Sequence, residues 1–362
     1  MTEISAGSDM ASEVESSTES STESSTWRNA MKLAIRDSKT LMEALGLDPE
    51  HWAANEVAVK GLAEQQFPVF VPLEYLSRMR RSDPTDPLLL QVVARDIESD
   101  FSEAYHHDPV GDSLVEVAPG LLHKYCGRVL MIVSGACAVH CRYCFRRHYP
   151  YNTAPKRLED WLPSLDYIRN DSTIHEVILS GGDPLSVTDD RLMELVDHLD
   201  AIPHLARLRI HTRLPVVIPQ RVDDALCRWL SKTRLSKWVV LHINHANEID
   251  GKVVEAIRRL QSCGAIVLNQ AVLLREVNDS VEALAELCER LVNHGVLPYY
   301  LHQLDRVAGA RHFDVDESHG LHLVSELAKR LPGFAVPKYV VEISGEASKS
   351  PILPEHRLAF LE

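Results

Sequence analysis

A chain of 362 residues with 45% hydrophobic and 25% charged side chains has an ordinary globular composition and enough length for a large core. Its formal net charge of −14 argues against a nucleic-acid surface, because binding phosphate needs a basic field. No apolar run reaches the roughly eighteen residues a membrane span requires, and no basic segment with an apolar core behind it opens the chain. A cytoplasmic protein is therefore expected, with no membrane and no nucleic-acid partner.

Residues 1–26 are almost entirely Ser, Thr, Glu and Gly. A segment this polar does not bury enough surface to offset its ordering entropy, so disorder is expected. From Trp27 to about 110 the apolar period becomes helical, at Met31, Leu33, Ala34, Leu41 and Leu45, and is broken by Pro68, Pro72, Pro84 and Pro87. This reads as a helical appendage packed on a main domain.

From about 111 to 335 short, near-continuous apolar runs alternate with amphipathic ones. The expected strands are 129–133, 175–180, 205–211, 238–243, 265–272 and 298–303, with a seventh at 339–343 inside a C-terminal segment, 336–362. Expected helices are 189–199, 223–230, 251–263, 280–294 and 316–331. Such alternation indicates βαβ units on a parallel sheet. No Gly-x-Gly-x-x-Gly follows a strand, so the expected fold is α/β, a partial (β/α)6 barrel of TIM-like kind, rather than a doubly wound sheet. In such barrels chemistry gathers at the C-terminal ends of the strands.

Those ends are polar throughout. The first strand runs into Cys137, Cys141 and Cys144, in C-x3-C-x2-C spacing that lets three thiolates converge on one soft metal centre. No second cysteine pair completes a zinc site, which favours a [4Fe–4S] cluster with one iron open; a zinc knuckle using His140 or His148 is the alternative. Seven cysteines, an odd number, do not suggest a disulfide framework. The second strand ends in Gly181-Gly182-Asp183, which either cradles a ligand with backbone N–H groups or merely turns the chain. The remaining ends carry His211 and Arg213, His242 and His245, Asn269 and Gln270, His302 and Asp305, then Glu342 followed by Lys349.

Cys137, Cys141, Cys144 and the adjacent Phe145 resemble the cluster loop of radical S-adenosylmethionine (SAM) enzymes, and Gly181-Gly182-Asp183 resembles their glycine-rich motif. More narrowly, 141–147 (CRYCFRR), 268–275 (LNQAVLLR), 299–305 (YYLHQLD) and 311–313 (RHF) resemble lysine 2,3-aminomutases. Within that family, 120–125, 242–248 and 345–349 look most like the bacterial branch that supplies β-lysine for elongation factor P. The resemblance runs from about 85 to 352.

The resemblance implies an isomerase that moves the amino group of L-lysine from C2 to C3 through a 5′-deoxyadenosyl radical, giving β-lysine, expected as the R isomer. The three cysteines would hold the cluster, and Gly181, Gly182, Asp183, His242 and Gln270 would face SAM. Pyridoxal 5′-phosphate would stabilise the migrating nitrogen; by position Lys349 would bind it covalently, and Lys124 and Arg128 would hold its phosphate. Arg146 suits the substrate carboxylate, and Asp305 and Glu342 suit its ε-ammonium. A flavodoxin or ferredoxin type donor would supply the electron, and a separate ligase would pass the product to elongation factor P.

Two departures from the free-lysine branch stand out. That branch has a glycine run before its cofactor lysine, where this chain has Gly345-Glu-Ala-Ser, and an Asp where this chain has Glu342. It also extends into a zinc-binding tail with further cysteines, whereas the last cysteine here is Cys288, so that zinc site is not expected and homo-oligomer formation stays open. The alternatives are a free-lysine aminomutase of another pathway and a non-catalytic iron–sulfur or zinc protein.

Overall fold

The structure, a computed structural model, describes residues 26–48, 61–100, 102–151, 154–155 and 157–353. The Ser/Thr/Glu-rich tail, apart from Thr26, lies outside the described residues, as does everything after 353.

Ten strands form one sheet whose spatial order is the chain order: β1 (Glu116–Ala118), β2 (Leu121–Tyr125), β3 (Arg128–Ser134), β4 (Glu176–Gly181), β5 (Arg207–Thr212), β6 (Ser236–His242), β7 (Ile266–Val272), β8 (Leu297–His302), β9 (Lys338–Val341) and β10 (Ser350–Pro351). From β3 to β9 every neighbouring pair is parallel; β1, β2 and β10 are antiparallel additions at the two margins. All seven strands expected from the apolar runs are therefore present, as one partial barrel.

Six helices cover the outside: α1 (Leu158–Asn170), α2 (Asp189–Asp200), α3 (Asp224–Lys232), α4 (Gly251–Ser262), α5 (Val281–Asn293) and α6 (Glu317–Arg330). Several start on side-chain caps. Asp223 accepts from Leu226 N, Asp250 from Val253 N and Ser280 from Ala283 N, each satisfying an N–H that has no partner within its helix. Their inward stripes (Leu284, Leu287, Cys288 and Leu291 on α5, for example) are buried against the outer face of the sheet.

On β5 burial alternates, and the polar residues Arg207, Arg209 and His211 take turns with Leu208, Ile210 and Thr212. The apolar set meets the helices, and the polar set points into the barrel. Side chains from β2 through β8 and the segment after β9 line one shared cavity, so the sheet is wrapped. Its margins are bridged by side chains: Lys124 and Tyr125 of β2 both bond Glu342 just past β9, at 2.6 Å each.

Four of these elements, β1, β2, β10 and α1, are absent from the sequence reading. β2 joins β3 through a two-residue turn at Cys126-Gly127, with Gly127 at φ +74°, the left-handed conformation such hairpins need. Its polar half, His123-Lys124-Tyr125, hides the strand signal. In α1, Pro163 interrupts the apolar period, although Trp161, Leu165 and Ile168 still form a buried face.

The N-terminal helices lie against this barrel. Leu41, Met42, Leu45 and Tyr75 belong to the same buried core as the strands. Arg78 donates to Val216 O at 2.6 Å and to Glu248 O, tying the appendage to the ends of β5 and β6.

Candidate active site

The C-terminal ends of the parallel strands open into a cavity of 660 Å³, within the range of small-molecule and cofactor sites. At one side stand Cys137, Cys141 and Cys144, all lining it. Arginines between and beyond the thiols fasten their loop from behind. Arg142 pairs with the fully buried Glu98 at 2.6 Å and donates to Phe67 O at 2.5 Å, and Arg147 meets the same carboxylate at 2.9 Å. Backbone bonds from His140 N to Phe70 O and from Arg142 N to Gln91 O add to the attachment. The appendage thus holds the cysteine loop, with the thiols turned to the cavity.

Burial pushes the Cys137 thiol well up and Cys144 up to about 11, with the neighbouring cysteines adding to the rise. Three thiolates in so dry a place need a cationic centre among them. Among the described residues no three His, Cys, Asp or Glu side chains converge where a single bare ion could sit. Three thiols facing a common cavity fit a cluster, where each binds its own iron.

Gly181 and Gly182 pack directly on this loop. A Cβ on Gly181, which has φ +128°, would lie 2.3 Å from Ser134 O; one on Gly182 would lie 2.5 Å from Ala136 O and 3.0 Å from Cys137 Sγ. The glycines are needed because two strand-end loops share this space. Asp183 follows, and both its oxygens are occupied: Oδ1 accepts from Leu185 N and Thr212 Oγ1, Oδ2 from Arg213 N and Leu214 N, at 2.7–3.0 Å. Its carboxylate thereby fixes the ends of β4 and β5 together.

His242 and Gln270 both line the cavity. His242 stacks on Tyr143 and shares a 2.8 Å bond with its hydroxyl; burial, with Arg213 nearby, lowers it to about 3 and keeps it neutral. Arg213 itself, unassigned in the sequence reading, reaches Cys141 Sγ at 2.7 Å.

Another part of the cavity lining comes from β2, β3 and the stretch after β9. Lys124 and Lys349 both hold Glu342, and Lys124 also donates to Val110 O at 3.0 Å. Although burial works the other way, the charge of Lys349 and bonds from Lys124 and Tyr125 bring Glu342 down to about 2. Glu342, expected to meet a substrate ammonium, is thus taken up by two lysines. Asp305 is different. No described side chain hydrogen-bonds its carboxylate, and burial raises it to about 7 against the pull of Lys349.

Arg128 lies over the Tyr125 ring at 4.6 Å and lines the same wall. Arg146 bonds Asp112 through Nε at 2.7 Å and Ser180 Oγ through Nη1 at 3.2 Å. Asp112 was missed because it lies before the barrel, in a stretch with no motif. Two more interior groups, Arg209 and His211, have ring or guanidinium nitrogens (Nε and Nε2) that are buried and without a partner. Burial keeps His211 neutral, and Arg209 pairs with Glu176 at 2.5 Å. Lys124, Arg128, Arg209 and Lys349 still outnumber the carboxylates Glu176 and Glu342 here, which fits a phosphate-bearing cofactor attached at a lysine.

Residues 131–288 match the family model described as the radical SAM superfamily. Over 90% of its length the chain is 44% identical to the L-lysine 2,3-aminomutase of Haemophilus influenzae, covering 94% of that protein. It is 41% identical to that of Escherichia coli, again over 90% of this chain and 94% of the relative. Against the enzyme of Clostridium subterminale it is 34% identical, over 91% of this chain and 78% of the relative.

The chain belongs to the lysine 2,3-aminomutase family of radical SAM enzymes. It is accordingly an isomerase of a class whose members carry a [4Fe–4S] cluster and use SAM. No described helix is long and apolar enough to cross a membrane.

Proposed function

We propose that this chain converts L-lysine to (R)-β-lysine by a 2,3-amino shift, using a [4Fe–4S] cluster, SAM and pyridoxal 5′-phosphate. The observation that carries the reading is a juxtaposition: Lys349 and the three cysteines, more than two hundred residues apart in sequence, line the same cavity. A radical generator and a cofactor lysine must share one closed space for a hydrogen to pass between substrate and adenosyl group.

The residues divide accordingly. Cys137, Cys141 and Cys144 hold the cluster, and Gly181, Gly182 and Asp183, packed against their loop, face SAM together with His242 and Gln270. Lys349 attaches pyridoxal phosphate, and Lys124 and Arg128 neutralise its phosphate. When bound, this cofactor supplies a conjugated system that stabilises the migrating nitrogen. Arg146 presents its guanidinium to the substrate α-carboxylate. Asp305 receives the ε-ammonium, and Glu342 joins it once its lysines serve the cofactor. An acidic substrate side chain would meet like charge at these positions. The electron comes from a flavodoxin or ferredoxin type donor.

We further assign the product to a ligase that attaches β-lysine to elongation factor P. The Gly-Glu-Ala-Ser stretch before Lys349 and the Glu at 342 favour that branch over production for another pathway. Anaerobic incubation with lysine, SAM, pyridoxal phosphate and dithionite, with chiral analysis of the product, tests the reaction. Absence of β-lysine rejects it. Weighing elongation factor P from a strain lacking the gene tests the destination; an unchanged mass rejects it.

A further inference from the structure

The Arg213 side chain is buried at the edge of the cavity and makes five polar contacts. Its Nη1 donates to Cys141 Sγ and to Tyr143 Oη, at 2.7 Å each. Nη2 reaches Gln91 Oε1 at 2.7 Å, Glu248 Oε2 at 2.8 Å and Tyr75 Oη at 3.1 Å. Nε is buried with no protein acceptor. The backbone is fixed as well, since Arg213 N donates to the Asp183 carboxylate.

Glu248 is the one carboxylate touching this guanidinium, and it is itself immobilised. Its Oε1 accepts from Asn244 N at 2.9 Å, His245 N at 3.1 Å and Gln91 Nε2 at 3.3 Å. Glu248 and Tyr75 are completely buried, and Arg213 is 6% exposed. A full positive charge is thus held against one cluster ligand, with one buried negative charge bonded to its other η nitrogen. Arginine suits this place because its planar fork serves five acceptors in fixed directions; a lysine ammonium would serve three at most.

We propose that Arg213 is a positioning residue for the iron–sulfur centre: its guanidinium orients the Cys141 ligand and sets the potential at which the centre accepts an electron, while Glu248 opposes it. Hydrogen bonds to ligand sulfurs and nearby charge are the protein's main means of tuning such centres. A cation beside the sulfur stabilises the reduced, more negative cluster, and at low local dielectric the effect is strong. The donors of Arg213 reach one thiolate, so the influence enters the cluster through a single ligand. The inference rests on the reading of Cys137, Cys141 and Cys144 as cluster ligands.

The test is a redox titration of the reconstituted full-length protein, followed by electron paramagnetic resonance without SAM or lysine, together with iron content and melting temperature. Arg213→Gln is expected to keep iron while its midpoint shifts to more negative potential, with Arg213→Lys falling between it and the parent. Glu248→Gln is expected to shift the midpoint the other way. Opposite signs follow from charge and not from loosened packing. Should Arg213→Gln not fold, Glu248→Gln and Tyr143→Phe decide, the latter freeing Nη1 for Cys141 alone and raising the midpoint. Iron that titrates at the parent potential in all of these variants overturns the proposal. Failure of the parent protein to take up any cluster overturns the functional reading as well.

Discussion

The two walls of the cavity are built differently. The cysteine wall is firmly bonded, although Arg147 Nε and Arg213 Nε are buried without a partner among the described residues: its loop is pinned by Glu98, Arg142 and Arg147, its glycines are in contact with neighbouring backbone, and Asp183 has four donors on two oxygens. The lysine wall is provisional. Among the described residues, Lys124 and Lys349 share one carboxylate, Arg209 Nε and His211 Nε2 have no partner, and the Asp305 carboxylate has no hydrogen bond. A preorganised wall suits a centre that must hold still while it passes an electron, since rigid dipoles need no reorganisation. A wall of exchangeable ion pairs suits partners that arrive and leave.

The comparison is broken most completely at the cysteines. Cys141→Ala leaves two thiolates, so cluster and turnover should both vanish, as iron analysis and the visible spectrum would show; retained activity removes the cluster from these residues. Lys349→Ala strikes the other wall. It should keep the cluster yet lose the borohydride-stable cofactor adduct, and with it turnover; an adduct that persists places the attachment elsewhere. Together the two variants separate the walls, because each should abolish one cofactor and spare the other.

Gly182→Ala is expected to be milder. Its Cβ would meet Ala136 O at 2.5 Å, backbone that cannot swing aside, so the cysteine loop must move. Overpacking of this kind costs about 1–3 kcal/mol. The melting temperature should fall by a few degrees, roughly 2–6 °C, with SAM binding weakened more than cofactor attachment at Lys349. Equal loss of both would mean that the walls are one mechanical unit.

How far this was legible in the sequence differs between the walls for the same physical reason. C-x3-C-x2-C and Gly-Gly-Asp are local signals, and parallel strands buried on both faces give apolar runs that mark seven of the ten strands. The lysine wall gathers Lys124, Arg128, Asp305, Glu342 and Lys349 from both margins of a wrapped sheet, and no spacing rule announces that meeting. It took a family resemblance to group them, and even so the pairing of Glu342 with two lysines was not foreseen. Asp183 shows what a motif leaves out: its oxygens accept from the Leu185, Arg213 and Leu214 N–H groups and the Thr212 hydroxyl, partners that the motif itself does not announce. Arg213 was visible as a strand-end residue, yet its acceptors, Tyr75, Gln91 and Glu248, are scattered along the chain and carry no pattern.

Asp305 gives the finest comparison of the two walls, because its charge is the one that burial leaves unresolved near neutral pH. With the carboxyl raised to about 7, the free site at pH 6 holds mostly the protonated acid. A lysine ε-ammonium stays charged across this range and pairs with the carboxylate, so binding must expel the proton. Apparent lysine affinity should therefore rise about tenfold per pH unit below 7 and level off above it, one proton being released per lysine bound. The same raised group lowers fold stability as pH climbs from about 4 through 7, since the native state then holds a proton the unfolded chain gives up. Asp305→Asn should flatten the pH dependence of the lysine KM and raise KM at pH 8, while cleavage of SAM in the absence of lysine stays near the parent rate. A KM slope that survives in Asp305→Asn would move the ammonium contact to Glu342, and the provisional wall would then have to release its lysines before substrate binds.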